Sequence, residues 1–160
     1  MLSVRIVCVG KLKEQYYSDA ANEYVKRLCG YCKPEVLEVR EQRLPMNPSE
    51  NQITHALEKE HTAIQALLPT GAFTIALCIE GREIDSTQLS DLLTDCANRG
   101  ASRLCFVIGG SNGLHNLTKV SANMMLSLSK MTFPHNLVRV MLLEQLYRAF
   151  SITQGAKYHK

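Results

Sequence analysis

At 160 residues, 46% hydrophobic and 21% charged, the chain has the composition of one ordinary globular domain spanning 1–160. No apolar run approaches the ~20 residues of a membrane helix. The start, Met1 to Cys8, lacks the basic and long apolar regions of a secretory signal, so a cytoplasmic location with no membrane partner is expected. The net charge of +3 permits a polyanionic partner without demanding one. From Lys130 to the end there are five Lys or Arg against one acid, Glu144, which suits a phosphate-rich substrate as well as a solvated surface.

Val4 to Val9 is a short apolar run ended by Gly10 and predicts a buried strand, followed by the basic turn Lys11-Leu12-Lys13. Tyr17, Ala21, Tyr24 and Leu28 recur at helical spacing over 14–28, with Gly30 as a stop. Glu35 to Val39 alternates as an edge or near-edge strand does. Residues 40–51 carry Pro45, Asn47, Pro48 and Asn51 among charges and read as a mobile connection. Ser49 with Gln52 predicts a capping box for a helix bearing Ile53, Leu57, Ile64 and Leu68 on one stripe, with Glu58 and Glu60 on its exposed side. Phe73 to Ile79 predicts a strand covered on both faces and ended by Gly81. Asp85 with Gln88 predicts a second capping box, and Leu89, Leu92, Leu93 and Cys96 the stripe of its helix, ended by Gly100. Leu104 to Ile108 and Met124 to Ser127 are further strands. This alternation implies an α/β fold, a mostly parallel sheet with helices on both faces.

Pro134 suits the first position of a helix running to about Thr153. Apolar side chains occupy nearly every side of that helix, which predicts burial on more than one side, the second cover being another subunit. Arg139 falls among Leu143, Leu146 and Phe150, where a buried guanidinium needs a partner or a ligand. Six cysteines are present. Cys29 and Cys32 form a C-x-x-C, but they follow a helix instead of opening one and lack two further ligands at zinc spacing, so neither redox nor metal chemistry is expected there.

Two loops carry the chemistry. Gly109-Gly110-Ser111-Asn112-Gly113 follows a buried strand. It lacks the Gly-Lys-Ser/Thr of a P-loop and the spacing of G-x-G-x-x-G. Its glycines still allow a close backbone approach to a ligand. Ser127 to His135 offers backbone groups, hydroxyls and Lys130. Two loops leaving neighbouring strand ends are how α/β sheets build small-molecule pockets.

The runs Val-Ile-Gly-Gly-Ser-Asn-Gly-Leu-His (107–115) and Leu-Ser-Lys-Met-Thr-Phe-Pro-His (128–135), the helix from Leu137 to Phe150, the ending Tyr158-His159-Lys160 and the opening Val-Gly-Lys-Leu-Lys closely resemble the ribosomal RNA large subunit methyltransferase H family. The resemblance covers the whole chain. It implies a SPOUT-class enzyme with a C-terminal trefoil knot, S-adenosylmethionine as cofactor and a homodimer. The implied reaction is methylation of N3 of a pseudouridine in 23S ribosomal RNA on assembled ribosomes, with no DNA partner. Carried over by motif, the cofactor contacts are Leu77, Gly109, Leu128, Ser129, Lys130, Met131, Thr132 and Phe133, and no metal is implied. Removing the N3 proton needs a base, for which His159, His135 and His115 are candidates. His159 is favoured because a C-terminal tail can fold over the cofactor of either subunit, with Tyr158 and Lys160 on the nucleotide and Glu144 and Arg148 positioning tail or RNA.

Overall fold

Alternation of side chains along the strands builds two cores, one on each face of a sheet. The computed structural model describes residues 1–160. The elements are β1 (Ser3–Val9), α1 (Gln15–Leu28), β2 (Lys33–Val39), α2 (Glu50–Leu67), β3 (Phe73–Glu83), α3 (Ser86–Asn98), β4 (Arg103–Ile108), α4 (Asn116–Ser121), β5 (Met124–Ser127) and α5 (His135–Thr153). The strands run parallel throughout, in the order β2-β1-β4-β3-β5, with β2 at one edge as expected. Val4, Ile6 and Cys8 of β1 and Leu104, Phe106 and Ile108 of β4 pack on the side of α1, α3 and α5. Their neighbours Val7, Val9, Cys105 and Val107 pack on the other side with Ile64 of α2 and Leu114. Phe106 and Ile6 are fully buried, which contributes about 1.5–3 kcal/mol each relative to exposure.

Both predicted capping boxes form. Ser49 Oγ accepts from the Gln52 N–H at 3.1 Å while the Ser49 N–H donates to Gln52 Oε1 at 2.8 Å. Asp85 Oδ1 accepts from the Gln88 N–H at 2.7 Å, and the Asp85 N–H donates to Gln88 Oε1 at 2.9 Å. Each box satisfies two helix-end donors that would otherwise lack partners.

Four expectations need correction. β3 does not stop at Gly81 but runs on to Glu83, with an irregularity between Leu77 and Arg82 after which it still pairs with β5. Gly81 is there for space: a Cβ on it would lie 2.5 Å from the Leu126 carbonyl carbon and 2.7 Å from the Leu126 nitrogen. Glu60 is buried, not exposed, because it turns inward to accept the Gln42 N–H at 2.9 Å. Residues 40–49 have no regular structure, yet they are tied down at Gln42 by that bond and at Glu41, whose Oε1 accepts the Ser111 N–H at 2.9 Å. Pro134 is the N-cap of α5, one residue before the helical position assigned to it.

The all-round apolar character of α5 is explained first within the chain. The helix lies between α1 and α3 on the sheet. Its outward residues Leu137 and Met141 remain half-buried. The buried Arg139 has protein partners: Nη1 donates to Glu38 Oε2 and Nη2 to the Gly10 carbonyl, both at 3.0 Å.

Gly81→Ala is expected to destabilise the protein by about 1–3 kcal/mol through overpacking of backbone on backbone. Gly30→Ala, whose Cβ would meet nothing closer than 3.7 Å, serves as the control and should change little. Urea unfolding of the two variants checks this.

Candidate active site

The helices that follow the neighbouring strands β3 and β4 lie on opposite faces of the sheet, which opens a crevice at the carboxyl ends of those strands. A cavity of about 630 Å³ occupies it, bounded by the ends of β3, β4 and β5. Leu77, Gly109, Leu128, Ser129, Met131, Thr132 and Phe133 all line it. Lys130 does not, and is exposed. Leu77 sits where β3 parts from β4, opposite Ile108 at the end of the shared ladder.

The glycine turn is packed against backbone. A Cβ on Gly109 would lie 2.5 Å from the carbonyl carbon of Gly113. Gly113 itself takes φ +74° and donates its N–H to the Gly110 carbonyl at 3.0 Å. In the second loop the hydroxyls serve the loop itself. Ser127 Oγ donates to the Ser129 carbonyl at 2.9 Å, and Ser129 Oγ accepts the Met131 N–H at 3.0 Å. These bonds fix the shape of the loop with its own side chains, so the loop presents largely backbone groups and apolar side chains to the cavity.

Sequence reasoning missed Glu80 and Lys119, which also line the cavity and form an ion pair. Lys119 holds the Glu80 carboxyl below its ordinary range. The partners are 39 residues apart, on β3 and α4, and no local pattern links them.

The tail builds a second group on α5. Glu144 accepts from Arg148 Nε at 3.0 Å and from the Tyr158 hydroxyl at 3.2 Å. The Arg148 guanidinium lies 4.8 Å from the centre of the Tyr158 ring, and its Nη1 is 3.4 Å from His159 Nδ1. Tyr147 meets Tyr158 edge-on at 4.7 Å. Burial pushes the Tyr158 hydroxyl up to about 12, with Tyr24 and the Glu144 carboxylate adding to it. Four of the five predicted catalytic residues therefore meet. Lys160 is exposed and joins none of these contacts.

The two groups do not meet within one chain. None of Tyr158, His159 and Lys160 lines the cavity. A neighbouring hollow of about 490 Å³ lies between the groups, lined by Leu126, Ser127 and Leu128 from one and by Glu144 from the other. Among the other base candidates, His135 lines the cavity, whereas His115 Nδ1 accepts the Leu117 N–H at 3.0 Å and serves as the cap of α4. Cys29 is exposed and Cys32 buried, and burial pushes the Cys32 thiol up to about 12, which makes it a poor nucleophile.

The family model described as "Predicted SPOUT methyltransferase" matches residues 2–159. The chain is 44% identical over 159 residues to the ribosomal RNA large subunit methyltransferase H of Streptococcus sanguinis, covering 99% of this chain and 100% of that one. It is 48% identical over 159 residues, with the same coverage, to the protein of that name from Bifidobacterium animalis subsp. lactis. Among solved structures, the fold is similar to a probable methylase family protein from Haemophilus influenzae, with a TM-score of 0.59 and 14% identity over 100% of this chain and 72% of that one. It is also similar to a probable methyltransferase from Bordetella pertussis, with a TM-score of 0.58 and 16% identity over 93% and 96% of the two chains.

The docked tail has a pH signature. A phenol raised above its unfolded value of ~10 favours folding while it stays protonated. Its contribution is present below that pH and is lost as pH rises toward about 12. The phenolate absorbance of the protein minus that of Tyr158→Phe should therefore titrate near pH 12. A difference curve centred at the ordinary tyrosine value would show that the tail is undocked.

Proposed function

The chain belongs to the SPOUT methyltransferases, in the ribosomal RNA large subunit methyltransferase H family, and on that premise we propose that it methylates N3 of a pseudouridine in 23S ribosomal RNA. We take S-adenosylmethionine as the donor and the assembled ribosome, in the cytoplasm, as the substrate. The observation that carries the reading is the convergence of both motif loops on one cavity of about 630 Å³ at three parallel strand ends.

The cavity suits that donor. Its volume lies in the range of small-molecule sites. Leu77, Leu114, Leu126 and Phe133 offer apolar walls for a flat base. The Gly109–Gly113 turn, too tight for a Cβ at Gly109, brings backbone groups to the cavity wall. Leu77, Gly109 and Leu128 to Phe133 would hold the donor, with Lys130 reaching in from outside. The bound donor would supply an electrophilic methyl group. Positioning of the acceptor nitrogen in line with it provides much of the rate.

The chain's residues then manage a proton. N3 of a uracil-type ring is protonated at neutral pH, and imidazole is the side chain suited to accept that proton there. We assign this role to His159. Arg148 lies beside its Nδ1 and Glu144 fixes Arg148, so the tail is oriented by a chain of charge-assisted contacts. Tyr158 and Lys160 contact the nucleotide.

We further propose a homodimer in which each tail completes the partner's site. Support comes from the separation of tail and cavity within one chain and from the half-buried outer face of α5 at Leu137 and Met141. A C-terminal trefoil knot is part of the same reading. It rests on the family resemblance.

Labelled methyl transfer to ribosomes lacking the modification, followed by mapping of the modified base, tests the reaction. Label is expected on one pseudouridine, and assembled ribosomes should be methylated far better than naked RNA. His159→Ala should lower turnover by about 10²–10⁴-fold and flatten its pH dependence. Full turnover with an unchanged pH profile would remove His159 from the role of base.

A further inference from the structure

A hollow of about 990 Å³ lies beside the donor cavity and differs from it in chemistry. It sits at the carboxyl ends of β1 and β2, whose following helices α1 and α2 lie on opposite faces of the sheet. That is where open α/β sheets bind ligands. Its walls are the turn after β1, with Lys11 and Lys13, and the segment after β2, with Arg40 and Arg43. Val39 is its one hydrophobic lining residue. Ser111 and His135 line both hollows, so the cleft runs into the donor cavity.

The charges in this cleft are sorted. Its three carboxylates are each engaged by the protein: Glu14 by the Asn136 amide at 3.4 Å, Glu38 by Arg139 and Glu41 by the Ser111 N–H. Its four cations, Lys11, Lys13, Arg40 and Arg43, are exposed and take part in no ion pair. The acids are tied to groups of the protein, Glu38 while still exposed, and the four cations stand around an open groove that adjoins the donor cavity, an arrangement that suits a chain of phosphates.

We infer that this cleft seats the sugar–phosphate backbone of the RNA strand that carries the target base, on Lys11, Lys13, Arg40 and Arg43. His135 stands where the base turns from the cleft into the donor cavity. Phosphate contacts of this kind set the register of a strand and carry no sequence information. The inference rests on the reading that the chain methylates ribosomal RNA.

The test is the affinity of the full-length protein for large ribosomal subunits lacking the modification, measured across a range of salt concentrations. Lys11→Gln/Lys13→Gln/Arg40→Gln/Arg43→Gln should bind at least about tenfold more weakly near 0.1 M salt, and its log affinity should depend less steeply on log salt, by roughly 0.7 for each phosphate no longer neutralised. The pairs Lys11→Gln/Lys13→Gln and Arg40→Gln/Arg43→Gln should each show part of the loss, which guards against misfolding of the fourfold variant. Affinity for S-adenosylmethionine should stay as in the unmodified protein. Lys26→Gln/Lys59→Gln, which neutralises two exposed cations outside the cleft, should keep the original affinity and slope. Unchanged affinity and slope in the cleft variants, or an equal loss in this control, would overturn the inference. Cleft-dependent binding without methyl transfer would instead sink the methyltransferase reading and leave the cleft standing.

Discussion

The fork of Arg139 holds the two ends of the chain together. One guanidinium nitrogen reaches Glu38 at the end of β2, and another reaches the Gly10 carbonyl just beyond β1. The side chain is about 6% exposed. Removing such a charge from water is expensive, and its attraction to a half-exposed Glu38 does not guarantee a net gain. Its geometry is what the fold uses. Planar donors fix direction as well as distance, so α5 sits on the sheet at one height relative to the first two strands. The same contact marks its surroundings as dry. The Cys8 thiol nearby is pushed up to about 11 by burial, although Arg139 opposes the shift.

From that anchor the first turn of α5 becomes a wall shared by two hollows. Pro134, His135 and Val138 face the cavity at the ends of β3, β4 and β5, and His135 and Asn136 face the basic cleft. The opposite wall of the cavity depends on contacts between backbones. β3 curves past Leu126 with no room for a side chain at Gly81, and the turn after β4 closes on itself with none at Gly109. Close-packed backbones transmit displacement instead of absorbing it. The wall at Gly81 is therefore held by a distant part of the chain, whereas the two loops are also held by their own hydrogen bonds, Gly113 to Gly110 and Ser127 to Ser129. Farther along α5, Glu144 and Arg148 hold the tail. One helix thus connects cavity, cleft and tail.

Local chemistry is legible in the sequence, and long-range chemistry is legible only as a need. The capping boxes at Ser49 and Asp85 are closed within four residues, so their patterns determine them. Arg139 shows the limit: its apolar surroundings demand a partner, but Glu38 lies 101 residues away and nothing in the pattern selects it. Gly81 reads as a strand end because a glycine after an apolar run usually punctuates. The β5 backbone that actually requires it belongs to another part of the chain. Glu60 groups by spacing with Glu58 on a solvated face, yet an unpaired backbone donor at Gln42 draws it inward. The two loops at the cavity are recognisable only through resemblance to a family, because what they present is largely backbone and leaves little trace in residue type.

Net charge is the coarsest of these readings, and the cleft shows why. A total of +3 describes a protein with nearly as many acids as bases. It says nothing of which charges are free. Glu38, Glu41 and Glu14 hold an arginine, a backbone N–H and an amide of the protein's own, each bond fixing a piece of the site. The Arg139 guanidinium compensates the charge of Glu38, whereas Glu41 and Glu14 are held by neutral donors that fix their positions and leave their charge in place. The four cations around them stay in solvent and retain their reach over roughly a Debye length of ~8–10 Å. A chain can thus present a locally positive groove while remaining near neutral as a whole. The acids that cancel the charge on paper are the same ones that build the site.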